Sequence, residues 1–196
     1  MPVNRSVPDV AQKRKDWNGL ISGFKASDLV FLDESGCNTD MTRRYAYSLG
    51  GSRAVDSAPL SKPKNTTILS SIQLDGTLRY TTFSGGTTVE RFKRYLETDL
   101  LPHLNGNSVL IMDNMKSHHA KAVKNLLDSS EIRYISLPPY SPDLNPIEKL
   151  WSKVKAFLRK FKARTLDALP NAIQNAFHSV TISDCSGWFR FCGYAL

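Results

Sequence analysis

Cysteine, acidic charge and long apolar runs are all scarce in this chain. Its three cysteines, Cys37, Cys185 and Cys192, are odd in number, form no CxxC pair and have no His partners at zinc-finger spacing. A disulfide framework and a structural zinc module are thereby excluded, and a reducing compartment follows as the default. No stretch approaches the roughly 18 consecutive apolar residues that span a bilayer. The opening MPVNRSVPDVAQKRKDW is too polar for a secretory signal, so the chain reads as cytoplasmic, with no membrane partner. Internal repeats and low-complexity tracts are also missing, which excludes solenoids and fibrous classes.

Acidic residues number 18 against 26 Lys and Arg, a formal charge of +8 with a pI near 9.5. Such an excess suits a surface that meets a polyanion, nucleic acid first, although charge alone speaks to association and not to fold. The 196 residues, 41% of them hydrophobic, are enough for one domain with a buried core and a short extra arm.

Residues 1–28 carry two prolines and the basic cluster Lys13, Arg14 and Lys15, and read as an arm or linker helix over AQKRKDWNGLISGF. From Leu29 the run LVFLDES predicts a buried strand passing into a loop, with Asp33 at its end. Two β-branched runs around Asp75-Gly76 predict antiparallel hairpin strands. Thr88 to His103 places Val89, Phe92, Tyr95, Leu96 and Leu100 at helical spacing, with Thr88 as N-cap. The segment NSVLIMDN repeats the earlier arrangement, a short apolar run ended by Asp113, and a helix follows it. IRYISL is another strand; the four prolines of PPYSPDLNP rule out regular structure and imply a rigid loop. Pro146 to about Lys162 is helical, with Ile147, Leu150, Trp151, Val154, Leu158 and Phe161 on an apolar face and Glu148, Ser152, Lys155 and Arg159 on another. A last helix through LDALPNAIQNAF, begun or kinked near Pro170, and an aromatic tail, GWFRFCGY, complete the chain.

Asp33 and Asp113 each end an apolar strand, and Glu148 opens a helix after the proline loop. If the two strands are neighbours, both carboxylates emerge at one sheet edge, where open α/β sheets carry their sites. A cluster of hard oxygen donors suits Mg²⁺ or Mn²⁺ and not zinc. Two such ions about 3.5 to 4 Å apart serve phosphodiester chemistry. Each residue also fits a plainer role: the aspartates as turn formers, and Glu148 as part of a near capping box with Asn145 and Pro146.

The segments FLDESGCNTDMTRRY, VLIMDNMKSHHA and LPPYSPDLNPIEKLWSKVK resemble the three acidic motifs of bacterial insertion-sequence-630 family transposases, in the mariner superfamily. The 34 residues between Asp113 and Glu148 match that family's spacing. The resemblance runs from about residue 29 to the end. It implies a ribonuclease H-like α/β fold with a mixed central sheet flanked by helices, and a catalytic domain over residues 29–196. Asp33, Asp113 and Glu148 would be its catalytic, metal-holding triad, supported by Asn114, His118 and Asn145. Tyr140, Ser141, Pro142 and Pro146 match the proline-rich signature. It further implies double-stranded DNA as partner, with a TA target, a homodimer in the working complex and a location at the nucleoid. The helix-turn-helix domains usual in the family are not found in this chain, so end recognition would fall to a separate domain or protein.

Arg43, Arg44, Lys149, Lys153, Lys155, Arg159 and Lys160, with Lys162 and Arg164 beyond, are candidate phosphate contacts. A solvated helix face is the plain alternative for any one lysine. His118 also fits a solvated helix-start histidine. Trp151 and Phe161 are read as core, Cys37 as a buried thiol. Two other functions stay open: a nuclease that cuts without joining, and an inactive remnant that binds DNA or pairs with a full-length transposase.

Overall fold

A computed structural model describes residues 8–43, 45–57, 59, 63, 65–115 and 118–194. The predicted arm helix is α1 (Pro8–Ile21), followed by β1 (Leu29–Cys37), β2 (Thr66–Gln73), β3 (Leu78–Ser84), α2 (Val89–Tyr95), β4 (Val109–Met112), α3 (Lys121–Ser129), β5 (Arg133–Ser136), α4 (Ile147–Phe161), α5 (Ala168–His178) and α6 (Ile182–Phe191). The strands form one mixed sheet in the order β3-β2-β1-β4-β5. β1, β2 and β3 pair antiparallel, while β1–β4 and β4–β5 are parallel. The expected α/β architecture, a mixed sheet with flanking helices, is present.

Alternation along β1 divides the core in two. Leu29 and Phe31 face a cluster that includes Trp17 of α1, Trp151 of α4, Ile173 of α5 and Phe189 of α6. Val30 and Leu32 face Phe92, Leu96 and Val123 on the other side of the sheet. The Asp75-Gly76 turn closes β2 on β3: Asp75 Oδ1 accepts from Thr77 N–H at 2.8 Å, and Gly76 takes φ +90°. A Cβ there would lie 3.0 Å from Ile182, so glycine is needed for both conformation and space.

Several elements depart from their sequence reading. β1 does not stop at Asp33. Its parallel pairing with β4 ends at Leu32, but its antiparallel pairing with β2 continues to Cys37, so polar residues are held in strand by one neighbour after the other has left. The predicted helix from Thr88 is capped as expected, Thr88 accepting from Arg91 N–H. After Tyr95 it passes into a π turn (Leu96–Leu100) and a 3-10 turn (Leu101–His103), where Pro102 cannot donate. The aromatic tail is helical: Thr181 and Asp184 form a capping box at the start of α6. Phe161, read as core, is 44% exposed and stacks on Phe157 at 6.0 Å, while Leu158 and Ala163 on either side of it are buried in the core.

The proline loop is held from two sides. Arg14 of α1 donates to both Asp143 carboxylate oxygens, at 3.1 and 2.6 Å, and to Ser141 Oγ at 2.6 Å. From the other end of the chain Tyr194 donates to the Leu144 carbonyl at 2.5 Å. The arm helix thus docks on the domain, with Trp17 3% exposed. Among the described residues no helix is long and apolar enough to cross a membrane.

Leu110, fully buried, is the site of a direct stability test. Leu110→Ala is expected to lower unfolding free energy by about 2–5 kcal/mol in urea titrations. Leu20→Ala, at a residue 49% exposed, should stay within about 0.5 kcal/mol of the parent.

Candidate active site

Leu32 pairs with Met112 across the parallel β1–β4 seam. The next residues, Asp33 and Asp113, therefore leave that seam side by side. The proline loop brings the start of α4 to the same edge. Asp33, Asp113 and Glu148 line one cleft of about 430 Å³, whose walls also include Asn114, Tyr140 and Asn145. Tyr140, on the cleft rim, is held at φ +56°, a conformation unfavourable for a bulky side chain.

The helix-capping alternative for Glu148 is not realised. No side chain caps α4, and the first amides turn back to main-chain carbonyls, Glu148 N–H to Asn145 and Lys149 N–H to Pro146. The Glu148 side chain is left facing the cleft. Asp33 is 8% exposed. Its Oδ1 accepts from the Glu34 amide at 2.8 Å and its Oδ2 from the Trp151 indole at 3.1 Å.

The electrostatics distinguish the three acids. Burial pushes Asp33 up to about 7; the Glu34 amide opposes it, and the charges of Asp113 and Glu148 add to it. Partial burial raises Glu148 as well, with Lys155 pulling down and Asp113 pushing up. Asp113 goes the other way. Burial would raise it, but hydrogen bonds from His118 and the Met115 amide hold it below the usual carboxylate range. Among the described residues no three His, Cys, Asp or Glu side chains stand close enough to hold one ion. Asp113 Oδ1 is turned instead to His118 Nδ1, at 2.9 Å, which relieves its repulsion from the other two carboxylates.

His118 is buried, not solvated, and stacks on Phe92 at 4.2 Å. Burial works against its charge, yet the carboxylates of Asp113 and Glu34 lift it to about 9. Its Nε2 lies 3.3 Å from Glu34 Oε2, close enough for charge pairing but outside hydrogen-bond alignment. Glu34 is the residue the sequence reading missed. The signal was present: the residue after Asp33 in a strand faces the opposite side of the sheet, and an acid there needs a buried partner.

Asn114 donates to the Leu137 carbonyl at 2.6 Å, tying the exit of β4 to that of β5. Asn145 is 4% exposed, and its Oδ1 has no hydrogen-bond partner. Lys155 acts on both Glu148 and the buried Cys37, whose thiol burial pushes up to about 11. Lys149 lies over the Phe191 ring at 3.8 Å, and Lys153 pairs with Asp184 at 2.5 Å. Arg43 and Lys160 are exposed and Arg159 half-buried. Arg44 lies outside the described residues. Lys162 pairs with Asp56, and Arg164 donates to the Thr39 and Met41 carbonyls, both at 3.3 Å.

A raised carboxylate penalises the folded state once ionised. Asp33 is neutral in the fold below about pH 7 but ionises in the unfolded chain near pH 4. Without metal, its contribution to stability is therefore lost as pH rises between those values. Asp33→Asn, unable to ionise, should unfold at higher urea than the parent at pH 8 in EDTA, by an order of a few kcal/mol. At pH 4 the two should differ little.

The model of the DDE superfamily endonuclease family matches residues 28–170, a span that includes all three acids. The Caenorhabditis elegans Tc1 transposase is 28% identical over 97 residues, covering 47% of this chain and 36% of its own length. In three dimensions the chain is similar to the pre-cleavage Mos1 transpososome, with a TM-score of 0.79 at 19% identity over 93% of this chain and 59% of that one. It is also similar to the catalytic domain of Mos1 mariner transposase, with a TM-score of 0.71 at 16% identity over 92% and 86% of the two chains. Mos1 paired end complexes with Mn and with Mg share this likeness. The fold is thus the ribonuclease H-like one, although the chain spans little more than a third of the Tc1 transposase. By the match across most of its length, this chain belongs to the DDE superfamily endonucleases.

Proposed function

We propose that the chain is the catalytic domain of a cut-and-paste DNA transposase, from the insertion-sequence-630 branch of the mariner superfamily, in which Asp33, Asp113 and Glu148 hold a pair of divalent ions. One observation carries this reading: three carboxylates from two strands and a helix line one cleft, and Asp33 and Glu148 are raised in part by neighbouring acidic charge. Such a group gains most from a cation. Its donors are hard oxygens, which fit Mg²⁺ or Mn²⁺, and the unpartnered Asn145 Oδ1 adds another at the same wall. The Mos1 complexes with Mn and Mg support the same choice.

Asp33, Asp113 and Glu148 would hold the ions, which would supply Lewis-acid activation of the scissile phosphate, the attacking water or hydroxyl and the departing oxygen. The chain's own groups present and orient the ligands. The Glu34 amide and the Trp151 indole fix Asp33; His118 and the Met115 amide orient Asp113. In cleavage the water oxygen bonds to phosphorus as the bond to the element's 3′ oxygen breaks, freeing a 3′ hydroxyl. In joining, that oxygen bonds to a target phosphorus, and the target's own 3′ oxygen leaves with a proton.

Residues 1–28 serve as the arm and 29–196 as the catalytic domain. Arg43, Arg44, Lys149, Lys153, Lys155, Arg159 and Lys160 are proposed phosphate contacts. Lys155 has the firmest support, since its charge acts at Glu148; Lys149 and Lys153 would have to leave Phe191 and Asp184. A TA target, a homodimer in the working complex, end recognition by a separate helix-turn-helix domain or protein, and action at the cytoplasmic nucleoid complete the reading.

Supercoiled DNA carrying the element's ends, incubated with the protein, its end reader and Mg²⁺ or Mn²⁺, should yield nicked and then strand-transferred products. Asp113→Asn should reduce both to background. Equal cleavage by the variant, or none by the parent, overturns the proposal; cleavage without joined products makes the protein a nuclease instead.

A further inference from the structure

Trp151 lies on α4 three residues after Glu148 and is 4% exposed. A buried tryptophan needs an acceptor for its N–H, and any main-chain carbonyl would satisfy it. Here the acceptor is Asp33 Oδ2, at 3.1 Å. The ring has no freedom to leave: it packs edge-on against Phe177 at 6.5 Å, and Phe177 stacks on Tyr80 of β3 at 4.0 Å. The indole direction is therefore set by three packed elements, α4, α5 and β3, and through it so is the carboxylate.

We infer that Trp151 is a positioning residue for Asp33, fixing the carboxylate rotamer and coupling it to the helix that carries Glu148. A carboxylate offers about four lone-pair sites on its two oxygens. The Glu34 amide occupies one on Oδ1 and the indole one on Oδ2, which leaves one site on each oxygen for cations in the cleft. Asp33 sits on β1 and Glu148 on α4, and this bond adds a directed polar link to the apolar packing between the two elements. With it, a displacement of α4 carries both carboxylates together. The inference rests on the reading of Asp33 as a metal-holding residue.

The test separates orientation from packing. Two variants are compared with the parent: Trp151→Phe, and a chain in which residue 151 is benzothienylalanine, which keeps the ring shape and replaces only the N–H by sulfur. Mn²⁺ affinity is read by electron paramagnetic resonance of the free ion, folding by thermal unfolding in EDTA, and the bond itself by the ¹⁵N-indole resonance of Trp151. The indole resonance should move in Asp33→Asn. Both variants should bind Mn²⁺ about tenfold or more weakly, while the benzothienyl protein unfolds like the parent. A role confined to packing would lower the unfolding temperature of Trp151→Phe and leave Mn²⁺ affinity unchanged in the benzothienyl protein; that result overturns the inference. A parent that binds no Mn²⁺ overturns the metal reading of the cleft, and the inference with it.

Discussion

Because β1 and β4 run parallel with Leu32 opposite Met112, two acids from distant parts of the sequence leave the sheet at one edge, on one level. Everything at the site depends on that register. A slip of one residue would turn Asp33 to the face that holds Glu34, His118 and Phe92, and Glu34 to the face that holds Trp151. The register is fixed by burial: Leu29 to Leu32 and Val109 to Met112 are almost fully enclosed on both faces of the sheet, so a slip drives a polar or charged flanking residue into an enclosed position at one end of the run.

The same alternation gives the site two differently built supports. On the α4 side Asp33 is held by neutral donors, and burial dominates its titration. On the α2–α3 side Asp113 leans on His118, whose charge is sustained by two carboxylates and sandwiched against Phe92. Two aspartates of one sequence type are thus shifted in opposite directions, one up and one down. Like charges gathered in one cleft cannot all ionise freely, and the fold distributes the conflict by giving a hydrogen-bonded cationic partner to Asp113 and neutral donors to Asp33.

Much of this was legible in the sequence. LVFLDES and VLIMDN identified both strands because a short apolar run ended by an acid has few other readings, and the proline loop with its following periodicity located Glu148. Partners across the sheet were harder to read. Trp151 shows its burial through helical spacing, but nothing in that spacing shows that its N–H meets Asp33. Glu34 looks like half of an acidic pair until β1 is known to extend to Cys37, which buries it against His118. The tail GWFRFCGY reads only as aromatic, because the helix that contains it starts upstream, where Thr181 and Asp184 fix its capping box. Phe161 fits the apolar face of its helix, and periodicity alone does not show that it is left exposed between the buried Leu158 and Ala163.

Arg14 gives the arm helix a consequence for where the molecule can be trimmed. The stretch shared with other DDE endonucleases begins at residue 28, but the contacts do not begin there: Trp17 is packed into the main core, and Arg14 grips Asp143 and Ser141 in the loop that delivers Glu148. A fragment cut at the family boundary would keep all three acids and the Tyr194 contact but lose the grip of Arg14 on that loop. The evolutionary edge of the domain and its mechanical edge lie on opposite sides of α1.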